Sequence, residues 1–113
     1  MKLKAERASS DIQKELGNII LFEAKDEDFK NVVITDVEVS NDLSFAKVYF
    51  TTIDDREKVL KDLNNASGFF RSLLAERLDI RHTPELKFIF DESIEYGQRI
   101  EKIIEKIHEN ESN

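Results

Sequence analysis

Between Ala66 and Phe90 the spacing of apolar residues changes from helical to alternating, and the change falls across Pro84, the chain's 1 proline. Phe69, Phe70, Leu73, Leu74 and Leu78 recur at helical spacing, which makes a core-facing stripe and leaves Arg71, Ser72 and Ala75 on the outer side. Pro84 removes a backbone donor, bars continuation of that helix and restrains Thr83 to extended geometry. A strand therefore begins near Glu85. Leu86, Phe88 and Phe90 alternate with Lys87 and Ile89, the pattern of a strand packed beneath helices. Upstream, Ala66-Ser67-Gly68 interrupts the helical run. Gly68 lacks a Cβ, so it either accommodates an ordinary packing kink or opens a helix whose first N–H groups face outward, where a phosphate binds.

The remaining elements follow from the same two periods. Ile12, Leu16, Ile19 and Ile20 form one apolar face of a helix from about Leu3 to Phe22, with Gly17 inside it through close packing or simple tolerance. Ala24 to Asn31 is charged and polar, as suits a surface loop, and it lacks the alternating ligands and the glycine of a calcium loop. Val33, Thr35, Val37 and Val39 then fall on one face of a strand, with Asp36 and Glu38 on the other. Phe45–Ile53 is a second β-rich run, and Asn41-Asp42-Leu43-Ser44 joins the two as a hairpin. Asp54-Asp55 supplies an N-cap for a short helix marked by Val59, Leu60 and Leu63, which fades at Asn64-Asn65. After Phe90, Asp91 or Ser93 caps a last helix with Ile100, Ile103, Ile104 and Ile107 on one side. The expectation is one α+β domain over residues 1–107, in which a three-stranded sheet is packed by helices, and a polar, disordered tail over 108–113.

Composition bounds the function. The formal net charge is −7, yet residues 71–90 hold 4 bases and 3 acids and form the one net-positive stretch. Any binding to phosphate must then come from a local basic face. Lys47, Tyr49 and Thr51 share a strand face, which is either solvated or covered, or else presents a base and a stacking aromatic to nucleic acid. The chain has 0 cysteines, a charged N-terminus and no continuous apolar run of about 18 residues, so a cytoplasmic protein without signal peptide or membrane span is expected. Its 2 histidines have no partners at metal-ligand spacing, its 3 glycines are isolated, and no Gly-x-Ser-x-Gly elbow is present. No enzyme, cofactor or metal is expected.

Three segments together resemble bacterial ribosome-binding factor A, a family of small-subunit maturation factors, over about Arg7 to Ile104. They are Ser40-Asn41-Asp42-Leu43-Ser44-Phe45-Ala46-Lys47-Val48-Tyr49, Ala66-Ser67-Gly68-Phe69-Phe70-Arg71-Ser72-Leu73-Leu74, and Pro84-Glu85-Leu86-x-Phe88-x-x-Asp91-x-Ser93-Ile94-Glu95-x-Gly97. The resemblance implies a type II KH-like domain with an Ala-x-Gly interhelical kink and an extra C-terminal helix. It further implies binding to the free 30S subunit and to 16S rRNA near its 5′-terminal helix, with a role in late maturation and rRNA processing. Small-subunit ribosomal proteins are a further partner class. Carried over, the RNA contacts are Ser67, Gly68 and Arg71 at the kink with Ala66 shaping it, Arg81 beyond the helix, and Lys47, Lys4 and Arg7 farther out.

The chain also departs from the family pattern. Asp26-Glu27-Asp28 stands where members commonly show Asp-Pro-Arg, and Asp79 stands where they show an arginine. Fewer neutralised phosphates imply weaker, less salt-sensitive RNA binding than in a basic relative. Arg77 falls on the apolar side of its helix, with its stem packed and its head reaching water. The alternatives are an acidic α+β protein–protein adaptor without RNA binding and a small enzyme. A monomer is expected.

Overall fold

The computed structural model describes residues 2–23, 29–80 and 82–93. They form an α+β fold in the order α1 (Lys2–Asn18), β1 (Val33–Val39), β2 (Phe45–Thr51), α2 (Arg56–Asn65), α3 (Ser67–Arg77) and β3 (Glu85–Phe90). α1 continues into a π-helical turn, Ile19–Glu23. The first loop's Asp26-Glu27-Asp28, the helix expected after Ser93 and the tail from residue 108 lie outside the described residues.

The sheet order is β1-β2-β3, with β1 and β2 antiparallel and β2 and β3 parallel. β2 is thus central and β3 is an edge strand, covered on one face only by the described helices. All three helices lie on that face. The expected α1 stripe of Ile12, Leu16, Ile19 and Ile20 is buried there, against Val37, Val39, Val48, Phe50 and Phe88. Phe70 from α3 is fully buried at the centre, its ring 5.7 Å from those of Phe29 and Phe88.

Two stripes differ from expectation. Register shifts between Ile34 and Asp36, a β-bulge at Thr35 that moves Ile34 onto the core and turns Val33 outward, 58% exposed. The alternation expected from Val33 through Val39 holds only from Asp36 onward. In α3, Phe70 and Leu74 are buried, but Phe69 stays 51% exposed at the rim. A helical stripe wider than its contact surface leaves its margin in water.

The helices also close the sheet edges. On β1, Ser9 Oγ accepts the Val39 N–H at 3.0 Å, and Gln13 Nε2 donates to the Thr35 carbonyl at 3.2 Å. On β3, Asn64 Oδ1 accepts the Phe88 N–H at 3.1 Å. Edge groups left unpaired would template strand addition; here side chains from α1 and α2 occupy the Val39 and Phe88 N–H groups and the Thr35 carbonyl.

Candidate nucleic-acid interface

The helical break sits at Ala66, whose φ of −92° and ψ of 4° end α2 and begin α3 with no side-chain cap on α3. Gly68 lies one residue inside α3 with no positive φ, and a Cβ built there meets nothing within 4 Å. The break therefore does not require glycine at 68. Gly17 likewise faces open space, so tolerance and not close packing accounts for it.

Ser67, Gly68 and Arg71 converge on one groove of about 380 Å³, where they meet Phe45, Glu85, Leu86 and Lys87 from the start of β2 and β3. Arg71 is fixed there: its Nε donates to the Thr83 carbonyl at 3.0 Å, in the loop that Pro84 holds extended. The bond uses one donor of the guanidinium fork and leaves both terminal nitrogens as donors. Strand geometry adds backbone groups. Glu85 and Asp91 donate their N–H groups to carbonyls of the β2 side, Ser44 and Phe50, so odd-numbered residues of β3 face β2 and even-numbered ones face outward. Leu86 accordingly turns its N–H and carbonyl toward the groove.

The other residues named from sequence are spread wider. Lys47 does not line the groove, but it is the register partner of Lys87, which does. Lys4 and Arg7 are exposed on α1, which packs over β1 at the far edge of the sheet. Arg81 lies outside the described residues. Arg77 is tied to α1 through a 3.2 Å ion pair with Glu15. Asp79 is exposed at the end of the α3 segment. Sequence reasoning missed Phe45, Lys87 and Leu86 as groove residues. Only the Phe45-Ala46-Lys47 alternation carried a signal, because period two puts Phe45 on the same face as Lys47.

The hairpin entering the groove is held by its own side chains. Asp42 Oδ1 accepts from Ser40 Oγ at 2.7 Å, Ser44 Oγ at 2.6 Å and the Ser44 N–H at 3.1 Å. Those three donors hold its carboxyl at about 2, below the ordinary 3.8, led by the Ser44 hydroxyl. Leu43 takes a left-handed φ of 63° and packs against the core. The turn thus fixes the chain direction at Phe45.

Among the described residues no group of three or more His, Asp or Glu is placed to hold a metal ion, and no helix is long and apolar enough to cross a membrane. Fold and groove define a small α+β binding module whose cleft at a helical break mixes charged and apolar side chains. The ribosome-binding factor A family matches residues 4–104, and the chain belongs to that family of ribosome-binding, non-catalytic proteins. The Staphylococcus carnosus ribosome-binding factor A is 44% identical over 113 residues, covering 97% of this chain and 98% of that one. Among solved structures, the Thermotoga maritima putative ribosome binding factor A has a TM-score of 0.64 at 32% identity, covering 74% of this chain and 83% of that one. The Thermus thermophilus crystal structure gives 0.70 at 24% identity, covering 75% and 93%. A further Thermus thermophilus set of coordinates, fitted into a cryo-EM map of a 30S complex, gives 0.58 at 24% identity, covering 73% and 93%.

Proposed function

We propose that this chain is a cytoplasmic factor that binds the free 30S subunit and contacts 16S rRNA near its 5′-terminal helix, assisting late subunit maturation and rRNA processing. The domain works as a type II KH-like module, with Ala66-Ser67-Gly68 in place of the phosphate-facing loop of such folds. One observation carries the reading: Ser67, Gly68 and Arg71, adjacent in sequence, line a single groove with Lys87 at the edge of the sheet. Gly68 adds to it. Among the described residues nothing needs a glycine there, whereas a close approach by an RNA backbone does. Arg71, held by Thr83, presents a preoriented cation to phosphate. The membership of the family and the 30S complex of the Thermus thermophilus protein support the same reading.

The work is binding and release, through phosphate contacts and RNA shape. Lys47 extends the basic path, and Arg81, Lys4 and Arg7 are secondary contacts. Sedimentation through sucrose with purified free 30S subunits and with whole ribosomes, at low and high salt, tests it. The protein is expected to comigrate with free 30S subunits at low salt and to dissociate as salt rises. Absence from the 30S fraction at low salt overturns the proposal in favour of an adaptor without RNA binding.

A further inference from the structure

Resting on the RNA-binding reading of the kink groove, we infer that the site continues around the start of β3 onto the open sheet face, where Phe45 stacks an unpaired base and Lys87 and Lys47 hold the flanking phosphates. The face that none of the described helices covers carries Phe45, Lys47 and Tyr49 from β2 and Glu85, Lys87 and Ile89 from β3. Phe45 is 58% exposed and lines the same groove as Gly68 and Arg71. A single exposed phenylalanine is ordinary on a protein surface. This one differs in its surroundings, because it lines one groove with an arginine held from behind and with Lys87, which is two residues beyond Glu85, the register partner of Phe45 on the neighbouring strand.

Its backbone is fixed as well. The Phe45 N–H donates to Ser40 Oγ at 3.1 Å, and its carbonyl accepts the Ser40 N–H at 2.9 Å. The ring is thus presented from an ordered turn, so stacking immobilises only side-chain torsions.

The cations point the same way. Lys47 and Lys87 are direct register partners on this face, and like charges placed side by side across strands are unfavourable unless an anion joins them. Glu38 lies across from Lys47 on β1, and Glu85 precedes Lys87 by two residues, yet among the described residues neither lysine is in an ion pair. In a chain of net charge −7, two adjacent unneutralised lysines beside an exposed aromatic ring match a phosphate–base–phosphate ligand. A duplex keeps its bases stacked inside and cannot use the ring, so Phe45 makes the site selective for unpaired RNA.

Fluorescence anisotropy of the full chain with a labelled unstructured RNA of about ten nucleotides, and with the same sequence in a duplex, tests the inference. The single strand is expected to bind more tightly. Phe45→Ala is expected to weaken single-strand binding by about 5- to 150-fold with an unchanged salt slope, and Phe45→Trp to retain it. Lys87→Gln and Lys47→Gln are each expected to lower the salt slope by about one. If Phe45→Ala leaves single-strand affinity unchanged while Arg71→Glu weakens it, the stacking inference is wrong and the groove reading stands. If neither variant changes RNA affinity, and the protein also fails to sediment with 30S subunits, both are wrong. Circular dichroism melting of each variant separates loss of binding from loss of fold.

Discussion

Arg71 Nε donates to the Thr83 carbonyl across 3.0 Å, tying α3 to the loop that precedes Pro84 and β3. Residues 12 apart in sequence thereby set one wall of the groove. Arg71→Lys keeps a charge but has no fork to satisfy the carbonyl and reach a phosphate together. Sedimentation with 30S subunits should rank wild type above Arg71→Lys and Arg71→Lys above Arg71→Glu. Melting temperatures should stay close for all three, since the side chain is exposed and surface contacts contribute little.

Gly68→Ala and Gly17→Ala form a matched pair. Both glycines are helical and a Cβ meets nothing within 4 Å at either, so each alanine should stabilise the fold by up to about 1 kcal/mol through helix propensity. Chemical denaturation should report that gain for both. Only Gly68→Ala should lose affinity for 30S subunits, because the added methyl projects into the groove; equal affinity for both variants would remove close approach at Gly68.

Asp42 offers a pH readout of the hairpin turn. Its carboxyl is held at about 2 in the folded chain against an ordinary 3.8. A depressed folded value means that the carboxylate stabilises the turn above the ordinary value, and that this contribution is lost as pH falls from 3.8 through about 2. NMR titration should place the Asp42 midpoint near 2, and Ser44→Ala should raise it toward 3.8, since the Ser44 hydroxyl is the largest cause. An unchanged midpoint in Ser44→Ala would contradict the assignment.

Phe70 and Arg77 sit on one helix with opposite roles. Phe70→Ala removes a fully buried ring packed 5.7 Å from each of Phe29 and Phe88 and should cost about 3–5 kcal/mol in urea unfolding. The Arg77–Glu15 pair is partly exposed, with side-chain exposures of 32% and 23%. A double-mutant cycle on it should give about 0.2–1 kcal/mol, shrinking with salt.

Much of this protein was legible in its sequence alone. The order of helices and strands, the buried faces of α1 and β3, the Asp55 cap that accepts from the Glu57 and Lys58 N–H groups, and the stop at Pro84 all follow from period and local chemistry. Such signals act over one or two turns, so the residues that create them lie close in the chain. Tertiary structure alone decided that β2 is central, that a bulge at Thr35 turns Val33 to water, that Asn64 closes the β3 edge, and that Phe69 stays at the rim. It alone brought Phe45 and Lys87 to Arg71. The physical reason is that register and neighbourhood are set by packing between segments far apart in sequence. Periodicity specifies which face of a strand is buried; which partner lies beside it is chosen only when the sheet closes on its helices.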